Sequence, residues 1–334
     1  MHKKARQLAL TLFWFIVDNA FFCLMPRKKQ SARVSDVDFV YLWVDGNDPA
    51  HLRKRSQFLK EISATEILEQ NAQMGYRWEN HDEIIHSLRS VARFCPWVRK
   101  IWIITDSQRF DTSVLPTAIT EKISFVDHAD IFQGIPDALP TFNSRSIETL
   151  VWRIDELAEH FVYFNDDMFV LRPTEIRHFF RGSLPIMRGS IRRVFRDQSV
   201  SLHQQGMINS RSMLSGRPEK TFFRTAHVPY PLVKSRLQKL YRDHEEAFKE
   251  NATHRFRRRE QFKVVSLLYE YLIATRQYAP LCYKDYTHIS GEGCREFTRR
   301  KLLRMLGNRK SRFLCINDVG SLARTVPEYR DYLQ

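Results

Sequence analysis

A chain of 334 residues can bury a large core, and 43% apolar residues with 24 Phe and 12 Tyr fit an unusually aromatic globular protein. A formal charge of +15, from 53 Lys+Arg against 38 Asp+Glu, suits an anionic partner: nucleic acid, an anionic membrane face or phosphorylated substrates. The five cysteines are odd in number, widely spaced and without CxxC, which argues against a disulfide framework or structural zinc and fits a reducing compartment.

Residues 1–34 open with "MHKKARQLALTLFWFIVDNAFFCLMPRKK", an apolar segment with basic flanks. Asp18 and Asn19 interrupt it, and the apolar stretch before Asp18 is short for a membrane span. The reading favoured is a helix that lies on a membrane surface or packs on the domain, over a spanning helix or a cleaved signal. "VDFVYLWVDGNDP" (37–49) reads as a buried strand running into a turn, followed by a helix-compatible stretch from His51 to about Asn71. "ENHDEIIHSLRSVARFCPW" carries Ile84, Ile85, Leu88, Val91 and Phe94 at helical spacing and stops at Pro96. "RKIWIITD" (99–106) and "KISFVDH" (122–128) are short strands, 144–160 reads as an amphipathic helix, and "FVYFNDD" (161–167) is a fourth strand. Residues 172–226 read as basic loops and short strands, rich in Arg181, Arg188, Arg192, Arg193 and Arg196. From Pro231 to Gln277 the pattern is helical with a break near Asn251–Thr253, and "RFLCIND" (312–318) is strand-like.

Continuous apolar strands alternating with helices predict an α/β fold: a Rossmann-like, mostly parallel sheet with flanking helices and a basic, partly helical C-terminal portion. The expected division is a membrane-proximal segment at 1–34, a catalytic domain at 35–325 (an α/β half to 180, then a cap and helical half) and a tail at 326–334.

Acidic residues punctuate the strand ends: Asp45, Asp106, Asp127 and Asp166. In open α/β sheets ligands sit at that edge. A turn after a buried strand explains any one of them, since Asn and Asp are good turn residues; four together favour a site. Paired carboxylates at Asp166 and Asp167 suit Mg²⁺, and an arginine-rich lid suits phosphate. Acidic floor and basic roof together fit phosphoryl or sugar-phosphate transfer from a nucleotide donor. "HDEIIH" (81–86) has its histidines five apart and in the wrong order for a zinc motif, and "GEGCREF" (291–297) is a weak phosphate loop. His227, in "AHVPY", precedes a proline-stiffened segment that holds its imidazole in one direction.

"DFVYLWVDGNDP", "DEIIHSLRSVARFCPWVRKIWIITDSQ", "LPTFNSRSIETLVWRI", "FVYFNDDMFVL", "AHVPYPLVKSRLQKLY" through "THRFRRREQF", and "RFLCIND" together resemble the conserved blocks of the Stealth sugar-phosphate transferases, in order, over about residues 37–318. The resemblance implies transfer of a sugar-1-phosphate, such as a hexosamine-1-phosphate, from a UDP-sugar to a hydroxyl of a growing capsular or surface polysaccharide. UMP would leave, with Mg²⁺ or Mn²⁺ assisting. It further implies that Asp45, Gly46, Asn47 and Asp48 meet the nucleotide sugar. Asn143, Ser144 and Glu148 would line the donor site, with Asn165 near the ligand. Asp166 and Asp167 would hold the metal, while Asp45, Asp167 and His227 are the candidates for the base. Arg257, helped by Arg255, would stabilise the transferring phosphoryl group, and Asn317 and Asp318 would close the pocket. Arg145 stands where similar sequences commonly carry a small residue or proline. The expected setting is the cytoplasmic membrane face, with a UDP-sugar and a polysaccharide as partners and no nucleic acid, since no nucleic-acid-binding motif appears. A conventional glycosyltransferase releasing UDP is the alternative.

Overall fold

The computed structural model describes residues 2–24, 33–63, 81–195, 199–281, 283–290 and 311–317, with residues 300, 304, 319, 322 and 324. In chain order the strands are β1 (Val37–Leu42), β2 (Ile101–Thr105), β3 (Ile123–Asp127), β4 (His160–Asn165), β5 (Met168–Val170), β6 (Phe180–Arg181) and β7 (Leu184–Met187). They continue with β8 (Gly189–Arg193), β9 (Thr221–Thr225), β10 (Tyr230–Val233), β11 (Ala279–Pro280), β12 (Tyr286–Ser290) and β13 (Phe313–Asn317). The principal helices are α1 (His2–Leu24), α2 (Pro49–Ser63), α3 (Glu83–Phe94), α4 (Ser144–Glu148), α5 (Leu202–Ser215), α6 (Lys234–Asp243), α7 (Glu245–Thr253) and α8 (Val264–Thr275).

The fold is α/β. The main sheet has the order β10-β4-β1-β2-β3, with only β10 antiparallel to its neighbour. β1 and β2 are buried at every position, because a parallel strand covered on both faces must be apolar throughout. The chain steps outward from β1 to β2 to β3, then crosses back to place β4 on the other side of β1. The crevice between the carboxyl ends of β1 and β4 is therefore a topological switch point, where open α/β sheets bind ligands. Leu42 and Asn165 are in register across it.

Asp38 is the exception to the apolar rule in β1, fully buried. Its carboxylate accepts from Arg99 Nε at 2.7 Å, Arg99 Nη2 at 2.5 Å, Trp102 Nε1 at 2.9 Å and the Ala158 amide at 2.9 Å. Those donors come from the approach to β2, from β2 and from the approach to β4, so one carboxylate fixes the amino end of three adjacent strands.

A second, small sheet, β12-β13-β5, sets β13 antiparallel to β5, with Cys315 opposite Met168. α3 packs beneath the switch point through Ile84, Leu88 and Val91; its Ser87 hydroxyl lies 2.9 Å from Tyr41 Oη and donates to Met168 O at 2.5 Å. α2 is tied to the end of β2 by Asp106, which pairs with His51 Nδ1 at 3.1 Å and with Lys54 at 3.3 Å. Hydrogen bonding from His51 first, and the Lys54 charge, hold the Asp106 carboxyl down at about 2.

Three expected elements differ. The helix expected over 144–160 stops at Glu148, followed by a 3₁₀ turn over Val151–Arg153. The Thr149 carbonyl accepts from the Trp152 indole at 3.1 Å and the Arg153 amide turns to Leu150 at 2.9 Å, so the i→i−4 ladder is lost. Pro231–Val233, read as the start of a helix, belong to strand β10, its residues buried against β4; the rest divides into α6, α7 and α8, with breaks at His244 and over residues 254–263. Within the stretch read as loops and short strands, Ser201 caps a regular helix, α5, through the Gln204 amide at 3.2 Å. The tail at 326–334 and the glycine-containing 291–297 lie outside the described residues.

Asp38→Ala leaves the buried Trp102 indole and the half-buried Ala158 amide without an acceptor and should lower unfolding stability by about 3 kcal/mol, read from the denaturant midpoint at constant m. Asp106 has a depressed folded pKa, so its contribution is full above the ordinary carboxylate pKa and disappears as pH falls through about 2. Asp106→Asn should therefore cost about 2 kcal/mol at pH 7 and flatten the acid limb of a stability profile measured from pH 5 to pH 2.

Candidate active site

The acidic strand ends divide by what their oxygens already hold. Asp106 is committed to His51 and Lys54. Asp127 caps the turn that follows β3, accepting from the Ala129 amide at 2.9 Å and from the Ser107 hydroxyl. At the exit of β1, Asp48 Oδ1 accepts from the Ala50 and His51 amides at 2.6 and 3.1 Å, which caps α2 and holds its carboxyl below the usual range. Asp45 Oδ1 accepts from the Asn47 amide at 3.0 Å, and its backbone is clamped by Gln108 at 2.8 and 3.1 Å. Gly46 is buried between these half-buried acids, while Asn47 is exposed.

At the exit of β4 the two adjacent carboxylates face different neighbours. Burial, then the charges of Glu83 and Asp167, push the Asp166 carboxyl well above the carboxylate range; Glu83 is raised for the same first reason. Asp167 Oδ2 lies 3.4 Å from His227 Nε2 and 3.4 Å from the Cys315 thiol. Its Oδ1 is buried without a hydrogen-bond partner. The ligating atoms of Asp167, His227 and Cys315 lie within 4.8 Å of one another. β13 delivers Cys315, because the Ile316 amide bonds Asp167 O at 3.0 Å; Cys315 also donates to Asn317 Oδ1 at 3.2 Å. Burial first, then the Asp167 charge, keeps that thiol protonated. Asp318 lies outside the described residues.

The His227 ring is held from both sides. Nδ1 lies 3.1 Å from Tyr230 Oη, and Nε2 lies 3.4 Å from Asn165 Nδ2 as well as from Asp167. Tyr163 Oη connects Asn165 Oδ1 at 2.7 Å with Glu148 Oε1 at 3.1 Å. Glu148, Asn165, Asp167, His227 and Asn317 thus belong to one connected network, although they come from four separate parts of the chain.

A basic wall stands beside Glu148. Arg257 Nη2 donates to Ser144 Oγ at 2.7 Å, at the first residue of α4. Lys263, 8% exposed, has its ammonium 3.5 Å from His203 Nδ1. Burial lowers the Lys263 pKa to about 8 against the opposing pull of Glu148. The Lys263 charge and burial press His203 well below the usual imidazole value, with smaller contributions from His227 and Arg257. Asn143 is buried and structural in its contacts: Oδ1 caps α4 at the Arg145 amide, 3.1 Å, and Nδ2 reaches His254 O and Gln261 Oε1, both at 2.9 Å. Arg145 is buried and donates to Arg258 O at 3.2 Å and Leu202 O at 2.8 Å, and its charge adds to that of Arg257 in lowering the pKa values of Lys263 and His203. Arg255 donates to the Asp137 and Leu139 carbonyls at 2.7 and 3.2 Å and lies over the Phe58 ring.

The network includes residues that the sequence reading did not single out: Cys315, Lys263, His203, Tyr163 and Tyr230. Two signals were present. Strand alternation puts Cys315 on the face of Asn317, and Lys263 directly precedes the largely apolar run "VVSLLYEYLIAT".

Three family models match the chain: Stealth conserved region 1 over residues 35–63, region 2 over 77–185 and region 3 over 226–274. The chain is 30% identical over 321 residues to a capsular polysaccharide phosphotransferase of Actinobacillus pleuropneumoniae, covering 92% of this chain and 82% of that protein. It is 31% identical over 299 residues to the capsular polysaccharide phosphotransferase LcbA of Aeromonas hydrophila, covering 84% of this chain and 78% of LcbA. An exopolysaccharide phosphotransferase of Streptomyces coelicolor is 33% identical over 89% of this chain, which spans half of that protein's length. The matched regions carry the β1 exit, the β4 exit, His227 and the basic wall, and the chain belongs to the Stealth family.

Proposed function

We propose that this protein is a polysaccharide phosphotransferase that moves a sugar-1-phosphate from a UDP-sugar to a hydroxyl of a capsular or surface polysaccharide. The observation that carries the reading is the His227–Asp167 pair at the switch-point crevice, beside a wall of Arg257 and Lys263. The names of the similar proteins from Actinobacillus, Aeromonas and Streptomyces support the reaction class and the acceptor.

In this scheme the acceptor oxygen attacks the sugar-bearing phosphorus of the donor. A new P–O bond forms, the anhydride P–O bond breaks, and its electron pair leaves on UMP. Tyr230 and Asn165 fix the His227 ring, so that Nε2 receives the acceptor proton in its neutral form. Asp167 Oδ2 then stabilises the imidazolium. Arg257, oriented by Ser144, and Lys263 hold the charge that collects on the transferring phosphoryl oxygens. Glu148 keeps Lys263 charged and, through Tyr163, keeps Asn165 in place.

The donor set fits a hard divalent cation at one oxygen: the carboxyl oxygen Asp167 Oδ1 is buried and without a hydrogen-bond partner. Asp167 with Asn317 would hold Mg²⁺ or Mn²⁺, since a protonated Cys315 thiol suits neither. Such an ion supplies neutralisation of the donor pyrophosphate. Asp166, facing Glu83 with a raised pKa, supports the crevice wall in this reading.

Incubation with a UDP-hexosamine, a polysaccharide acceptor and Mg²⁺ should release UMP, and chelator should stop it. Release of UDP would instead mean glycosyl transfer and overturn the phosphoryl reading. His227→Ala should lower kcat by about 10²–10⁴-fold with donor affinity kept. Lys263→Met should mainly raise the donor KM. As Lys263 loses its charge when pH rises through about 8, the wild-type donor KM should climb above that pH, and the variant should lack that climb.

A further inference from the structure

Asp18 and Asn19, which interrupt the apolar N-terminal segment, are the points where α1 is fastened to the domain. Arg193 pairs with Asp18 through Nε at 2.6 Å and Nη2 at 2.7 Å. Asn19 exchanges two hydrogen bonds with the Ile191 backbone, at 2.9 and 3.2 Å, in the manner of an added strand residue on β8. Phe22 is buried and stacked on Tyr278, whose hydroxyl donates to Phe22 O at 3.0 Å. Phe15 packs under the Arg192 guanidinium on the same side.

The opposite side of α1 is apolar and bare. Leu12, Phe13, Ile16, Val17, Phe21 and Leu24 recur at helical spacing along it, with exposures of 57% for Phe13, 63% for Phe21 and 81% for Leu24. Most of the large exposed apolar side chains among the described residues belong to this one helix. No helix among those residues is long and apolar enough to cross a membrane. A face of this kind marks an interaction surface. Beside it runs a cleft of about 500 Å³, lined by Trp14, Phe15, Arg192, Phe195, Phe222 and Arg224. Arg192 and Arg224 are both exposed at this cleft and repel one another, so an anion placed there relieves both.

We propose that α1 is an interfacial helix, docked by its Asp18–Asn19 edge, that lays its opposite apolar face on an anionic phospholipid bilayer while Arg192 and Arg224 receive lipid phosphates. Charge favours lipid over a second copy of the chain. The helix segment is flanked in sequence by Lys3, Lys4 and Arg6 on one side and Arg27, Lys28 and Lys29 on the other. Parallel or antiparallel pairing of two such segments sets basic flank against basic flank, whereas an anionic surface neutralises both. This inference stands apart from the phosphotransfer reading, because its test needs no turnover.

The test is flotation of the full chain with vesicles of phosphatidylcholine containing phosphatidylglycerol, against vesicles of phosphatidylcholine alone. The wild type should float with the anionic vesicles, less so as salt rises. Ile16→Glu with Phe21→Glu, on the bare face, should cut the bound fraction about tenfold while circular dichroism stays unchanged. Arg192→Gln with Arg224→Gln should weaken binding to anionic vesicles severalfold without altering the difference that the first pair makes. Failure of the wild type to float, or equal flotation of the Ile16/Phe21 variant, overturns the proposal. A concentration-dependent dimer abolished by that variant, with no flotation, also overturns it and assigns the face to a second copy. Unchanged binding by the Arg192/Arg224 variant removes the phosphate contacts.

Discussion

The fold rests on one buried carboxylate. Asp38 sits fully buried near the amino end of an otherwise apolar strand, where an unpaired charge costs several kcal/mol. It is tolerated because four donors from three chain segments converge on it. The same convergence makes β1, β2 and β4 neighbours with fixed offsets. β1 and β4 stay paired from Val37 and His160 to Leu42 and Asn165, so the crevice opens beyond their last residues. The satisfied carboxylate and the carboxylate with an unpaired oxygen, Asp38 and Asp167, thus occupy opposite edges of the sheet.

That separation explains why acidic strand ends with the same sequence appearance do different work. Asp127 and Asp48 spend their oxygens on backbone amides, and Asp106 spends its oxygens on His51 and Lys54. Asp167 retains a buried oxygen with no such partner. A carboxylate that has lost its water and gained no donor is unstable unless a cation or ligand completes it. The difference lies in local turn geometry: after β4 the chain does not enter a helix, which would have offered amides, but turns straight into β5. β13 then closes over that turn and brings Cys315 and Asn317 to it.

The basic wall follows a related logic. Lys263 is almost fully buried, and burial lowers its pKa to about 8 while the Glu148 charge pulls the other way. Arg145, two positions from Asn143, shares the neighbourhood but is used differently, with its guanidinium spent on two backbone carbonyls that join α4 to α5 and to the loop before α8. A guanidinium engaged in that way fixes the scaffold, whereas Arg257 reaches the first residue of α4 through Ser144.

Much of this was legible in the residues themselves. Continuous apolar runs announced the parallel strands, because a strand covered on both faces has no polar side. The blocks around "VDGNDP", "FNDD" and "AHVPY" announced the family, and the strand-ending acids marked the sheet edge where Asp167 meets His227. Tertiary structure decided the remainder. The helix over 144–160 was shortened because the Trp152 indole, not an amide, takes the Thr149 carbonyl. Tyr230–Val233 became a strand because the free edge of β4 needed hydrogen bonds that local propensity does not register. Which carboxylates are paired and which keep an unpaired oxygen depends on local amides at Asp48 and Asp127 and on cations brought from far along the chain at Asp38 and Asp106. So does the role of Asp18 and Asn19, polar interruptions in the sequence that become anchors only when β8 is beside them. Sequence alone set the periodicities and the chemistry on offer; the pairing of distant groups, which determines their solvation and charge, existed only once the chain was folded.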